Sequence, residues 1–512
     1  MALTLPARLR ACRAGANIAR RRIEGTATPM LRSGEAYLEG IRDGRAVYIG
    51  KERVADVTDH PAFANAARMY AAMYDLKRAD DMRDVLWVED GGARIPAYFL
   101  KPRDRRDLEI RTAAHRAIAA FSHGLLGRSP DHVASSITGL AIGSSVFDRD
   151  GGGFSERIEA YYEHARSRDL YLAYAILPPQ GARKPELYQS ADRSPPTLRV
   201  TAEDSEGVVL NGMKMLATGA VFADELWIGN IIPLAPSQVK ESVTCAVPVN
   251  APGVALWARK PFGAAQGIEF HNPLSHRFDE SDSMIVFKDV HIPWERVFVH
   301  DNPALSRDIY VETPAHYMSN HQSNVRFAAK LRLLIGLASK IARSNGARDI
   351  PAVREVLADL ASMEAAYGGI VDGQLQACEP TGNGYVHVNR RYMYAGINYA
   401  VENYGKICDR VRTLMGGGVF QMPASIDVAD DPALGPVFED YWSTADESAT
   451  ERMKLFHLAW DLLGSEFAMR HDQYEKFYVG PRFIVRDYNF RHVPWDDYEG
   501  LVDDIMAGYG TR

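Results

Sequence analysis

The sequence is poor in cysteine and lacks a long apolar run, and both absences narrow the possibilities. Its four cysteines, Cys12, Cys245, Cys378 and Cys408, lie far apart among 512 residues. No Cys-x-x-Cys pair or Cys/His cluster indicates a zinc or iron–sulfur site. No apolar run reaches the roughly 18 residues of a membrane-spanning helix. We therefore expect a cytoplasmic chain with no structural disulfide, metal site or membrane span.

A basic excess is also missing. The net charge is −7, which argues against a nucleic acid or an anionic membrane as the main partner. With 46% hydrophobic and 24% charged residues, the composition is that of a globular chain of about two to four structural units.

Several catalytic signatures are absent as well. The chain has no G-x-G-x-x-G between a strand and a helix and no G-x-x-x-x-G-K-[ST], so a Rossmann or P-loop nucleotide site is not indicated. It also lacks H-E-x-x-H and G-x-S-x-G, the signatures of metal and serine hydrolases.

The first thirty residues differ from the rest, with six arginines and one acidic residue. Their composition resembles a transit peptide, although a basic tail or a start codon placed before a true start at Met30 is the simpler interpretation. We predict a disordered basic extension over residues 1–32 with no catalytic role.

Hydrophobic periodicity divides the remaining chain into three regions. A helical period covers residues 33–170, a period of two covers 171–300, and the helical period returns over 301–512. Within the middle region, Asn211-Gly212 is predicted to form a hairpin turn. The order indicates an α+β fold in which an antiparallel β unit lies between helical domains.

A short polar segment, GRSPDH at residues 127–132, interrupts an apolar stretch. It has two interpretations. Ser129 or Asp131 caps a helix that has Pro130 in its first turn, or Arg128 and His132 face a shared substrate cavity.

Six stretches in one order carry a family resemblance: SGEAYLEGIRDGRAVYIGKERVADVTDHPAF (33–63), GRSPDH, DLYLAYAILPPQGAR (169–183), GMKMLATGAVFADEL (212–226), FKDVHIPWERVFV (287–299) and LLGSEFAMRHDQYEKFY (462–478). They resemble the two-component, reduced-flavin-dependent aromatic hydroxylases related to 4-hydroxyphenylacetate 3-monooxygenase. The resemblance implies an acyl-CoA dehydrogenase-like fold with an N-terminal helical domain, a central antiparallel β-barrel and a C-terminal four-helix bundle. It also implies a homotetramer.

The resemblance further implies the oxygenase component of a flavin monooxygenase. A separate NAD(P)H-dependent flavin reductase would supply reduced FAD. With O2 this would form a C4a-hydroperoxide that hydroxylates a phenol ortho to its hydroxyl. The residues implied to contact FAD are Gln180, Gly181, Ala182, Arg183, Thr218, Gly464, Ser465, Glu466 and Phe467, with Gly416, Gly417 and Gly418 serving a neighbouring subunit.

The substrate residues depart from the family pattern. Arg128 is retained, but His132 stands at the family's tyrosine position and Tyr174 at its histidine position. We expect these three residues to bind the phenol, with His132 titrating near the working pH and deprotonating or orienting it. His300 and His321 are secondary candidates for the pocket.

The position of the family's carboxylate-binding hydroxyls falls on Asn230 and Ile231, neither of which is a hydroxyl residue. The substrate is therefore expected to differ from 4-hydroxyphenylacetate. Alternatives are a dehalogenating or denitrating phenol monooxygenase, an acyl-CoA dehydrogenase- or dehydratase-like flavoenzyme, and a scaffold that has lost its flavin.

Overall fold

The computed structural model describes residues 31–184, 188, 195–263 and 267–510. Most of the predicted basic extension lies outside the described residues. Arg32 is an exception, because its guanidinium makes two hydrogen bonds of 2.7 and 2.8 Å to Asp224 in the β region. The described chain therefore includes residues before the predicted boundary at residue 33.

Helices dominate both ends of the chain, in agreement with the periodicity. The α-helices are α1 (Gly34–Ile41), α2 (Ala64–Arg78), α3 (Arg83–Leu86), α4 (Arg105–Phe121), α5 (Pro130–Ile142), α6 (Ser155–Arg168), α7 (Ser275–Phe278), α8 (Leu305–Val311), α9 (Ala315–Ser344), α10 (Pro351–Gln376), α11 (Arg390–Met415), α12 (Leu434–Trp442), α13 (Ala449–Leu463), α14 (Glu466–Phe477), α15 (Arg482–Arg491) and α16 (Trp495–Ala507).

Strands lie mainly in the middle of the chain. They are β1 (Ala46–Ile49), β2 (Glu52–Val54), β3 (Trp87–Asp90), β4 (Ala93–Pro96), β5 (Leu172–Ala175), β6 (Arg199–Glu203), β7 (Gly207–Thr218), β8 (Glu225–Ile228), β9 (Thr244–Pro248), β10 (Val254–Ala258), β11 (Asp282–Pro293), β12 (Val297–Val299), β13 (Glu379–Pro380) and β14 (Val386–His387).

The predicted α+β architecture is confirmed, but the β region is built differently from a single antiparallel barrel. The described strands form a six-stranded sheet in the order β2-β1-β10-β11-β7-β6 and a four-stranded sheet in the order β12-β9-β8-β5. Both sheets are mixed, because β1 pairs with β10 and β5 pairs with β8 in parallel. The large sheet also takes two short strands from the N-terminal helical region.

The predicted hairpin turn at Asn211-Gly212 is wrong. Strand β7 runs unbroken through both residues, and the Asn211 amide bridges Thr201 and Asp289 on neighbouring strands at 2.8 and 3.0 Å. Gly212 has φ +119°, and a Cβ there would lie 2.5 Å from the carbonyl oxygen of Thr197. The glycine therefore permits close approach of a neighbouring chain segment within a sheet.

Helix α5 lies at the centre of the molecule and carries much of the candidate site. All thirteen of its residues are buried, and it packs against the long helix α9. Because no face meets water, its polar side chains must find partners within the protein. Helix α9 in turn packs against α10 and α11 in the C-terminal bundle.

None of the described helices is both long enough and apolar enough to cross a membrane.

Candidate functional site

The GRSPDH segment begins α5, as its interpretation as a helix start predicts, and the shared substrate cavity stays a prediction. Ser129 is the N-cap residue and Pro130 occupies the first turn. Directly before the helix, the backbone amides of Gly127 and Arg128 donate to the two carboxylate oxygens of Glu280 at 2.9 and 3.0 Å. Glu280, which precedes β11, thus fixes the segment from which the Arg128 side chain extends.

The Arg128 guanidinium joins three parts of the chain. Its Nη1 donates to Nε2 of His132 at 2.7 Å, and its Nη2 donates to the carbonyl oxygen of Tyr478 at 3.0 Å. Its Cζ also lies 5.9 Å from the ring centre of Tyr174, within cation–π range. The side chain therefore lies where α5, β5 and the C-terminal helices meet.

His132 is buried, with 2% of its surface exposed. Its Nδ1 lies 2.9 Å from Oε1 of Gln322 in α9. Burial, reinforced by the charge of Arg128, holds the pKa of His132 well below its usual value. The expectation that it titrates near the working pH is therefore wrong: the imidazole is neutral and accepts through Nε2.

Tyr174 completes the cluster from strand β5. Its ring meets the His132 ring edge to face, with centres 5.6 Å apart and planes at 86°. The phenol is half-buried, and burial raises its pKa. The structure thus brings together the three predicted substrate residues, two of which exchange residue types relative to the family.

Two tyrosines in α14 and just beyond it also reach this cluster. Tyr474 and Tyr478 stack with ring centres 5.4 Å apart, between the guanidinium groups of Arg128 and Arg326. Both hydroxyls are buried without a hydrogen-bond partner among the described residues. We did not predict these residues, although their spacing of four in a helical stretch places them on one face.

The Thr218 turn lies next to the Arg128 segment. Tyr171 links them, because its hydroxyl donates to the Arg128 carbonyl at 2.8 Å and would clash with a Cβ placed on Gly219. The Thr218 hydroxyl donates to Asp282 at 2.7 Å. Burial opposes ionisation of Asp282, but Arg470 and Arg259 outweigh it and lower its pKa.

The residues flanking Asp282 carry unsatisfied polar atoms. Ser281 and Ser283 each bury a hydroxyl with no partner in the part of the chain that the structure describes. Buried hydroxyls normally bind a protein group, water or a ligand. Ser281 and Ser283, like Tyr474 and Tyr478 near Arg128, therefore carry buried hydroxyls that a water or a ligand could bind.

The other residues implied to bind flavin lie on exposed or helix-terminal backbone. Gln180 is exposed in a short 3-10 helix, Gln180–Arg183, in which Ala182 is buried; the side chain of Arg183 lies outside the described part. Gly416 and Gly417 are exposed, with open space where a Cβ would lie, whereas a Cβ on Gly418 would meet the Phe456 ring.

The segment from Gly464 to Phe467 forms the start of α14. Ser465 caps the helix by accepting from the amide of Ala468, and Phe467 is buried. A helix N-terminus attracts phosphate groups. The adjacent acid Glu466 is paired with Lys260 at 2.7 Å, which reduces its repulsion of an anion.

Asn230 has no polar atom left for a substrate. Its Oδ1 accepts from Nζ of Lys214 at 2.7 Å, and its Nδ2 donates to the carbonyl of Glu241 at 3.0 Å. Ile231 is half-buried and apolar. Lys214, which we did not predict, is buried without an acidic partner among the described residues, and burial lowers its pKa to about 7.

The two secondary histidines lie outside the Arg128 cluster. His321 is buried, and its nitrogens face Thr112 and Gln374 at 2.8 and 2.7 Å, so it is a satisfied core residue. His300 lies 2.9 Å from Glu203 at the end of the small sheet.

Among the described residues, one group of side chains is close enough together to hold a metal ion: Glu203, His300 and Asp301, which include no cysteine. Lys240 Nζ pairs with the Asp301 carboxylate at 2.9 Å. We interpret the group as a surface ion-pair network.

Comparison with known proteins gives one consistent result. Two family models match the chain: 4-hydroxyphenylacetate 3-hydroxylase N terminal over residues 33–299, and 4-hydroxyphenylacetate 3-hydroxylase C terminal over residues 306–507. The resemblance drawn from the sequence is confirmed.

Individual relatives match over nearly their whole length. The pyoverdin chromophore biosynthetic protein PvcC of Pseudomonas aeruginosa is 31% identical, covering 94% of this chain and 96% of that protein. The oxygenase component of 4-nitrophenol 2-monooxygenase from a Rhodococcus species is 30% identical, covering 89% of this chain and 87% of that protein.

Among solved structures, the oxygenase component HpaB of 4-hydroxyphenylacetate 3-monooxygenase, complexed with FAD and 4-hydroxyphenylacetate, superposes with a TM-score of 0.86. It is 28% identical, and the match covers 93% of this chain and 98% of that chain.

Proposed function

Because the chain belongs to the 4-hydroxyphenylacetate 3-hydroxylase family, we propose that it is the oxygenase component of an FAD-dependent aromatic monooxygenase that hydroxylates a phenol ortho to its hydroxyl. Relatives named as oxygenase components of monooxygenases acting on nitrophenol and 4-hydroxyphenylacetate support this.

One observation indicates that the substrate is a phenol. At the centre of the cluster, the donor Arg128 Nη1 faces the acceptor His132 Nε2 at 2.7 Å, beside the half-buried Tyr174. A phenol hydroxyl inserted between them donates its proton to Nε2 and accepts from the guanidinium. A carboxylate lacks the proton that Nε2 needs, so the pair is matched to a group that both donates and accepts.

The two side chains then have separate roles. A phenolate is more electron-rich at its ortho carbon than a phenol, so any shift of the proton toward His132 favours oxygen transfer to the ring. Arg128 stabilises the negative charge that this shift leaves on the phenol oxygen. Since His132 is neutral before the substrate binds, it is free to receive the proton.

The chemistry that FAD would supply, once reduced by a separate reductase and exposed to O2, is oxygen transfer from its C4a-hydroperoxide. The residues present fit this cofactor. Thr218 and the unpartnered hydroxyls of Ser281 and Ser283 would face its polar edge, and the start of α14 would face its phosphates. Burial of His132 limits the access of water, which otherwise diverts such chemistry to H2O2.

The distal end of the substrate differs from 4-hydroxyphenylacetate. Asn230 and Ile231 offer no hydroxyl, and the Asn230 amide is already occupied by Lys214 and Glu241. We therefore propose a phenol whose para substituent does not depend on a hydroxyl clamp at this position. If the phenol carries a nitro group or a halide, the same reaction could displace that group.

The test is a substrate panel assayed with FAD, NAD(P)H and any flavin reductase. Phenol, 4-methylphenol, 4-nitrophenol, tyrosine and 4-hydroxyphenylacetate are each incubated aerobically, and catechol products are identified by mass spectrometry. We expect a catechol from at least one phenol and a lower kcat/KM for 4-hydroxyphenylacetate. Flavin oxidation that yields only H2O2 with every phenol would refute the proposal.

A further inference from the structure

A buried hydrogen-bonded chain lies behind His132, on the side away from Arg128. It runs from His132 to Gln322 in α9, and from Gln322 to Ser129 and Asp131 at the start of α5. Each of these side chains is at most 2% exposed. With no water to provide alternatives, the donors and acceptors must match along the whole chain.

Asp131 determines how the chain is arranged. The Ser129 hydroxyl donates to its Oδ1 at 2.6 Å, and Nδ1 of His115 lies 2.7 Å from its Oδ2. Because the serine proton is directed to the carboxylate, the serine oxygen is left as an acceptor. Both oxygens near the Gln322 amide, those of Ser129 and Asp131, therefore require a donor.

This requirement orients the amide of Gln322. Its Nε2 lies 3.0 Å from the Ser129 oxygen and 3.3 Å from Oδ1 of Asp131. In the flipped orientation, the amide oxygen would face the carboxylate and be repelled. The amide oxygen is therefore held toward His132, where it lies 2.9 Å from Nδ1 and can only accept.

We propose that Gln322, oriented by Ser129 and Asp131, is a positioning residue that holds the proton of neutral His132 on Nδ1 and keeps the Nε2 lone pair toward the substrate. Arg128 enforces the same tautomer only while it donates to Nε2. When the guanidinium bonds a phenol instead, the tautomer depends on the contact of Nδ1 with Gln322 at 2.9 Å, which is shorter than the 3.4 Å to the Ser323 hydroxyl. The tautomer assignment stands on the contacts alone, whereas its catalytic consequence rests on the proposed function.

The tautomer can be measured without substrate. In protein labelled with 15N-histidine, imidazole nitrogens that carry a proton are distinguished from those that carry a lone pair, and His132→Ala assigns the resonances. We expect the lone pair on Nε2 in the wild type and in Arg128→Met. In Arg128→Met combined with Gln322→Met, both tautomers should be populated. A proton on Nε2 in the wild type or in Arg128→Met would overturn the proposal.

Two further variants test whether a change of tautomer comes only from misfolding of the protein. In the Arg128→Met background, the double exchange Asp131→Asn with Gln322→Glu keeps an acceptor facing Nδ1, and Nδ1 should keep its proton. Thr138→Ala is the matched control, because this buried residue of α5 bonds only a carbonyl of its own helix at 2.8 Å; it should leave the tautomer unchanged.

Activity then separates the two proposals. Gln322→Met should lower hydroxylated product per reduced FAD about tenfold, the scale typical of residues that orient a catalytic group. If Arg128→Met with Gln322→Met loses the single tautomer but Gln322→Met leaves product unchanged, His132 does not bind the phenol and the proposed function fails. If product falls in Gln322→Met while the double variant keeps the single tautomer, the positioning role is wrong and the cluster keeps its function.

Discussion

His132 is 2% exposed and its Nε2 lies 2.7 Å from Arg128, so its protonation is set by these surroundings and departs from that of an exposed histidine. Burial and a neighbouring cation both disfavour the imidazolium. The sequence predicts that His132 titrates near the working pH. In the structure it is instead a neutral imidazole that can accept the proton of a hydroxyl group.

Replacing His132 should uncouple flavin oxidation from hydroxylation. In His132→Ala the phenol loses its acceptor, so catechol per reduced FAD should fall about 100-fold while H2O2 rises and flavin oxidation continues. Product is measured by chromatography and H2O2 by a peroxidase assay. The control is His291→Ala, an exposed residue of β11. Unchanged coupling in His132→Ala would mean that the histidine only completes the start of α5.

Lys214 should make stability depend on pH. Its pKa is about 7 in the folded chain because of burial, against 10.5 for an ordinary lysine side chain. Between these values the unfolded chain binds more protons than the folded one, so this group makes folding more favourable as pH rises, by at most about 1.4 kcal/mol per pH unit.

Urea unfolding at pH 7, 8 and 9 checks this. The free-energy difference between wild type and Lys214→Met should increase with pH, whereas the difference for the exposed Lys454→Met should stay flat. A flat difference for Lys214→Met would show that the ammonium is solvated in the folded protein.

Helices α9 and α14 are joined by a buried ion pair that supports the site. Arg326 contacts Glu475 through two bonds of 2.5 and 2.7 Å, and Lys330 adds a third at 2.6 Å. Burial opposes ionisation of Glu475, but the two cations outweigh it and lower its pKa to about 2. The pair holds α14 where Tyr474 contacts Arg128.

Glu475→Gln should destabilise the protein by about 3 kcal/mol, because it leaves two buried cations without a counter-charge. Since the pKa is lowered, the stabilisation by Glu475 is present above its ordinary pKa of about 4.5 and is lost as pH falls toward 2. Chemical unfolding at pH 7 measures the effect. Glu466→Gln, on the same helix but in an exposed pair with Lys260, should cost less than about 1 kcal/mol.

At the scale of helices and strands, the sequence predicted local structure better than it predicted contacts between distant segments of the chain. The helix that starts at Pro130 and the proximity of Arg128 to His132 follow from residues four apart. Gln322 and Glu280 went unnoticed, because their contacts cross 190 and 152 residues of sequence. The predicted turn at Asn211-Gly212 was wrong for a related reason: the close approach of Thr197 and Leu198, and not the local sequence, explains the glycine.

The whole molecule exposes an apolar face at its C-terminal end. In α16, Leu501 and Ile505 are 64% and 68% exposed and lie one turn apart, beside the exposed Val502 and Met506. A contiguous exposed apolar face of this kind commonly marks a protein–protein interface. We therefore expect copies of the chain to associate through this face.

Light scattering after gel filtration tests this assembly. The wild type should elute with the mass of a tetramer, and Leu501→Asp with Ile505→Asp should give a smaller species, because two buried carboxylates would oppose association. Asp503→Ala, an exposed change on the same helix, is the control. A monomeric wild type, or a double variant that stays tetrameric, would contradict the assignment of this face.

The most direct test is a crystal structure of the protein with FAD and a phenol that the substrate panel identifies. We predict that the phenol oxygen lies within about 3 Å of both the Arg128 guanidinium and Nε2 of His132, with the ring beside the Thr218 turn. A phenol bound elsewhere, with the Arg128–His132 hydrogen bond intact, would contradict it.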